Sequence, residues 1–146
     1  MTNKQILIIR QIKKVLKDAG MKVGEYPFDV NKYGTGDWDN VALVQDGNET
    51  RLEDPPNKAI QKDYIVSVWV YSNVEKQNIE HILDIQTTVE DAVLDDLSLD
   101  SNARCVDVIF IDKGNALDDF TGFETGYYGN KTCRRIDFSV TMEQVR

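Results

Sequence analysis

Apolar residues recur at spacings of three and four through residues 2–19, where Ile8, Ile9, Ile12, Val15, Leu16 and Ala19 share one side and the lysines turn away from it. The spacing predicts an amphipathic helix. Gly20 is placed to end it, because glycine takes the left-handed conformation after a last helical turn at no steric cost. Residues 22–40 hold Tyr26, Pro27, Phe28, Tyr33, Gly34, Gly36 and Trp38 with no sustained period, and read as a packed connection with room for a short strand. The apolar run VALVQ within residues 40–46 predicts a strand, and Asp46-Gly47 after it suits the positive φ angles of a tight hairpin turn. Residues 49–60 are polar and contain Pro55-Pro56, which cannot donate a full ladder of hydrogen bonds, so an exposed loop is expected there.

The segment KDYIVSVWVY, residues 62–71, alternates Tyr64, Val66, Val68 and Val70 with Ile65, Ser67, Trp69 and Tyr71. Both sets are bulky, which predicts a central strand with helices on one side and a second covered surface on the other. Ser72-Asn73-Val74-Glu75 has the form of a capping box, so a long helix is expected from there to about residue 97, following Ile79, Ile82, Leu83, Gln86, Val89 and Val93. Glu90, Asp91, Asp95 and Asp96 crowd its C-terminal half, where the helix dipole disfavours acids and a compensating basic neighbour is expected. Two further strands are predicted at residues 104–112 and 132–144, paired antiparallel, the second turning Ile136, Phe138, Val140 and Met142 inward. Residues 113–131 between them form an aperiodic stretch longer than most loops in compact domains, a length that usually signals function or disorder. The predicted fold is one α+β domain over residues 1–146, with a mainly antiparallel sheet of four or five strands, two helices on one face, and the order α-β-β-α-β-β.

Charge changes the picture. The 146 residues carry 17 Lys and Arg against 25 Asp and Glu, a formal net charge of −8, which argues against a phosphate-binding surface of clustered cations. The imbalance is uneven: residues 1–22 hold six cations against Asp18 alone, a net +5, leaving −13 for the rest. No apolar run approaches the length of a membrane span, and the N-terminal sequence lacks the pattern of a signal peptide. No membrane association is expected.

Candidate chemistry is sparse. His81 is the only histidine, expected near Asp84 and Ile85 on the second helix without marked catalytic partners. Cys105 and Cys133 have no zinc or redox motif around them and read as two buried strand thiols. Asp95, Asp96 and Asp100, or Asp118, Asp119 and Glu124, are carboxylate groups of the kind that bind a hard cation, yet their spacing fits no calcium loop, and a solvated acidic face is the simpler reading. The glycine pairs Gly34/Gly36 and Gly122/Gly126 match no phosphate-binding fingerprint. No catalytic residue, metal or cofactor is therefore expected. Phe120, Phe123, Tyr127 and Tyr128, together with Asp118, Asp119 and Glu124, form a candidate interface loop, since aromatics concentrate in interface cores; a lid folded back on the core accounts for them equally well.

Taken together, the N-terminal helix, the Tyr26/Phe28 connection, the strand VALVQDGNET, the strand YIVSVWVY, the helix NVEKQNIEHILDIQTTVEDAVLDDL, the strand VDVIFID, the loop DDFTGFETGYYG and a final strand ending FSVTMEQ resemble the tail terminator (tail completion) proteins of long-tailed bacteriophages, of the lambda type. The sequence departs from that pattern in its longer 22–40 connection and its Pro55-Pro56 loop. The resemblance implies a non-enzymatic virion protein, made in the host cytoplasm, that forms a hexameric ring at the head-proximal end of the tail tube. Such a ring stops tube polymerisation and presents a surface to the head. Its implied partners are other copies of itself, the major tail tube protein and the head-side connector or completion protein, with DNA passing through the channel without specific binding. Acidic loops suit that lumen. A ring closed by rotation needs two different complementary patches per subunit, and Lys13, Lys14, Lys17, Arg51, Arg134 and Arg135 are the candidate subunit contacts. Three alternatives remain open: another neck or head-completion protein, a small divalent-metal-dependent hydrolase using the aspartates at residues 95–100, and a module that captures a peptide on a sheet edge.

Overall fold

The computed structural model describes residues 3–26, 40–51, 59–73, 79–96, 99–100, 105–112 and 131–145. They form an α+β architecture of two helices and a five-stranded mixed sheet, in the order α1 (Lys4–Asp18), β1 (Lys22–Glu25), β2 (Val41–Arg51), β3 (Ala59–Asn73), α2 (Ile79–Leu94), β4 (Cys105–Asp112) and β5 (Lys131–Val145). Across the sheet the strands run β1-β2-β3-β5-β4. The β1/β2 pair is parallel, and β2/β3, β3/β5 and β4/β5 are antiparallel. The expected order thus gains a strand, because four residues of the 22–40 connection pair with β2.

Local chemistry accounts for α1. The Asn3 side chain accepts from the Gln5 N–H at 2.7 Å and satisfies one of the orphan amides of the first turn. At the other end Gly20, with φ +91°, donates to the Lys17 carbonyl, and Met21 donates to that of Leu16. This pair of bonds defines a Schellman motif, and the buried side chains of Met21 and Leu16 supply the apolar contact that accompanies it. Both helices present the same stripe to the sheet: Ile8, Ile12 and Leu16 from α1, Ile85, Val89 and Val93 from α2. They meet Ala42 and Val44 of β2, Val66, Val68 and Val70 of β3, and Ile136, Phe138, Val140 and Met142 of β5. Each such aliphatic side chain contributes about 1.5–3 kcal/mol on burial.

Three local expectations are corrected. Asp46-Gly47 is no hairpin turn, since β2 runs through it to Arg51. The pairing shifts there instead: Asp46 lies opposite Val66 and Glu49 opposite Tyr64, so Gly47 and Asn48 face the single residue Ile65 in a β-bulge. A Cβ built on Gly47 would stand 2.4 Å from the Ile65 carbonyl oxygen, so the close approach of two backbones, and no turn, is what requires this glycine. Residues 49–51 and 59–60, expected in a loop, belong to β2 and β3. Ser72 and Asn73 are no helix cap, because they pair with Thr132 and Lys131 as the last residues of β3. The strand's ladder bonds outcompete the cap, and α2 is described from Ile79. Pro55-Pro56 and the loop at residues 113–130 lie outside the described residues. Among the described residues no helix is long and apolar enough to cross a membrane.

Candidate functional site

The two faces of the sheet differ in chemistry. The helices cover one. On the other, Val41, Leu43, Tyr71, Trp69 and Tyr26 are also buried, yet none of them belongs to the cluster beneath the helices. The alternation of β3 and β5 puts Asp63, Ser67 and Trp69 on this second face, directly opposite Thr141, Asp137 and Arg135. Each cross-strand pair makes a specific contact. Thr141 Oγ1 donates to Asp63 Oδ1 at 3.0 Å, Ser67 Oγ donates to Asp137 Oδ1 at 2.7 Å, and the Arg135 guanidinium lies 5.6 Å from the centre of the Trp69 ring. Arg135 Nε also donates to Asp137 Oδ1 at 3.1 Å. Trp69 Nε1 donates to Gln45 Oε1 at 2.8 Å, which extends the network to β2, and the Trp69 ring stacks on Tyr26. Cation–π, stacking and charge-assisted bonds here all converge on one tryptophan and one arginine, residue types that anchor protein interfaces.

On the helix side, α1 turns a second surface outward. Arg10, Lys14 and Lys17 are exposed, and none of them enters an ion pair among the described residues, whereas Lys13 pairs with Glu25 of β1. A pocket of about 400 Å³ opens beside the N-terminal half of this helix, walled by Ile6, Ile9 and Arg10, with Lys13, Glu25, Asp46 and Tyr64 at its sides. The β2 bulge sets Asp46 where it accepts the Tyr64 hydroxyl hydrogen bond. Burial, then that bond and the negative charges of Asp46 and Glu49, push the Tyr64 hydroxyl far above the ordinary phenol range, so it is a neutral donor.

The candidate contact residues therefore do not form one patch. Lys14 and Lys17 point to solvent from α1, and Lys13 is tied to Glu25. Arg134 and Arg135 are consecutive on β5 and face opposite ways: Arg135 meets Trp69, while Arg134 Nη1 donates to the buried Gln86 of α2 at 2.8 Å. Burial lowers the Arg134 pKa from its usual value. Arg51 ends β2, and its side chain lies outside the described residues. So do Asp118, Asp119, Phe120, Phe123, Glu124, Tyr127 and Tyr128, and the side chains of Cys105 and Cys133. In place of the basic neighbour expected at the acidic end of α2, neutral donors meet Asp96: Gln11 Nε2 of α1 donates to Asp96 Oδ2 at 2.9 Å, and the Asp100 N–H reaches Asp96 Oδ1. Among the described residues no group of three or more His, Cys, Asp or Glu stands together as a metal site. Sequence reasoning missed Tyr26, Gln45, Ser67 and Asp137. Superposing the outward sets of β3 and β5 was the available signal for the last two.

Compared with protein-family models and with curated proteins, the chain matches none.

Proposed function

We propose that this protein is a structural subunit that assembles head to tail into a ring, of the kind that tail terminator proteins form at the head-proximal end of a phage tail tube. One observation carries the reading: the two sides of one sheet differ in chemistry, the cationic outer side of α1 on one and, on the other, the partly exposed Arg135 and Asp137 beside the buried Trp69. A rotationally closed ring uses two unlike patches per subunit, and a terminator also needs a surface for the tube or the head. The long, mostly antiparallel sheet with both helices on one face fits the expected subunit. The acidic balance of the chain suits a channel through which DNA passes without being held.

The experiment is negative-stain microscopy of the purified protein, with its mass measured by light scattering. The expected result is a ring with a central hole and a mass of about six protomers. A monomer at high concentration and low salt would sink the reading.

A further inference from the structure

Ile6, 47% exposed, and Leu83, 37% exposed, are the exposed large hydrophobics among the described residues, and they sit on the outer sides of different helices. Ile6 heads a solvent-facing stripe on α1 whose other members are Arg10, Lys14 and Lys17, at spacings of four, four and three. Leu83 lies in a corresponding stripe on α2 with Glu80, Asp84, Asp91 and Asp95, all exposed. One stripe carries three cations and the other four carboxylates. The helices match in length, 15 and 16 residues, or about 22–24 Å. Inside one subunit the two stripes do not meet, because α1 and α2 lie side by side and turn both of them to solvent; their mutual contact is made elsewhere, as by Gln11 and Asp96.

We infer that the α1 stripe of one copy docks on the α2 stripe of the next, Ile6 against Leu83, and that this is the head-to-tail contact of the ring. The inference rests on the ring reading above and gives the cationic side of α1 its complementary patch on α2, which leaves the Arg135 face for the tube or the head. Parallel docking with Ile6 on Leu83 sets Lys14 opposite Asp91, Lys17 beside Asp95, and Arg10 at Thr87 between Asp84 and Asp91. Every cation then has a carboxylate within a turn. The apolar pair sits where a desolvated anchor adds to affinity, and the charges fix register and partner. A second copy through the same two stripes leaves one of each free at either end, so the contact propagates until rotation closes it.

The test is charge exchange in the full chain. Lys14→Glu and Asp91→Lys are each expected to weaken association at least about tenfold at low salt, through like charges set face to face, with the melting temperature and circular dichroism of the protomer unchanged. The double variant Lys14→Glu/Asp91→Lys restores opposite signs across the contact and is expected to recover assembly. An equimolar mixture of Ile6→Asp and Leu83→Asp proteins, each blocked on one stripe and set like charge to like charge where the two blocked stripes meet, should give dimers and no rings. If the wild-type protein forms rings and the single variants form them equally well, or the double variant shows no recovery, the helix contact is wrong while the ring reading stands. If the wild-type protein is monomeric throughout, both fall.

Discussion

Trp69 lies flat on Tyr26, ring centroids 4.4 Å apart and planes 12° from parallel, and so joins the middle of β3 to the residue that follows β1. The stack crosses β2, which also holds Tyr26 through its N–H bond to the Val44 carbonyl at 3.0 Å. Trp69→Ala removes the stack, the Arg135 contact and the Gln45 bond together, and should cost about 3–5 kcal/mol, as large aromatic truncations do. Trp69→Phe keeps a ring for Tyr26 and loses the indole N–H, so the expected loss is smaller, about 1–3 kcal/mol with Gln45 left short of a donor. Urea unfolding of both variants checks the order. Equal losses would mean that stacking contributes nothing.

Tyr64 gives a pH signature with a defined sign. Its folded pKa lies above the value of about 10 that an unfolded tyrosine shows. Below about pH 10 both states keep the proton, and the contribution to stability is complete. Above it the unfolded chain releases a proton that the folded chain retains, so stability falls as pH rises. Tyr64→Phe has no such proton. The stability gap between wild type and Tyr64→Phe should be constant from about pH 7 to 9 and shrink from about pH 10 upward. Denaturation curves for the pair, taken across that range, would refute this by staying parallel.

Where the residue pattern expressed packing, it was readable. The four-residue spacing of Ile8, Ile12 and Leu16 gives α1, Gly20 ends it, and the alternation of β3 and β5 separates Val66, Val68, Ile136 and Phe138 from Ser67, Trp69, Arg135 and Asp137. Asp46-Gly47 misled because glycine answers two needs that look alike in sequence: positive φ in a turn and absence of a Cβ where backbones approach. Ser72-Asn73 misled because a side-chain cap and a strand's last ladder bonds use the same short polar residues. The site was less legible still. The order of residues does not say which cations share a face, and Arg134 and Arg135 separate to opposite sides of the sheet by the two-residue period alone. The α2 acids became informative only when Leu83 was found outside the core beside them.

The Gly47 bulge yields a steric prediction. Its added Cβ would meet a backbone carbonyl, which cannot swing aside like a side-chain end, so β2 and β3 must move apart locally. Gly47→Ala should lower stability by about 1–3 kcal/mol, in the range of overpacked cores, and should disturb the neighbouring bond from Tyr64 to Asp46. Hydrogen exchange at Asp46 and Ile65 should rise with it. An unchanged urea midpoint would show that the bulge has room to spare.

Salt dependence tests the electrostatic part of the assembly. Arg10, Lys14 and Lys17 face solvent on α1, and Glu80, Asp84, Asp91 and Asp95 face solvent on α2. Charges on such open surfaces attract over a Debye length of about 8 Å at physiological ionic strength, which shrinks to about 3 Å at 1 M salt. Ring association should therefore weaken as sodium chloride is raised from about 0.05 M to 1 M, with the encounter rate falling more steeply than the dissociation rate rises. The Ile6–Leu83 anchor is apolar and unscreened, so Lys14→Glu should flatten the salt dependence, whereas Ile6→Ala should weaken association at every salt concentration by a similar factor. Light scattering that shows no salt effect on the wild type, or a salt effect unchanged in Lys14→Glu, would remove the charge stripes from the contact.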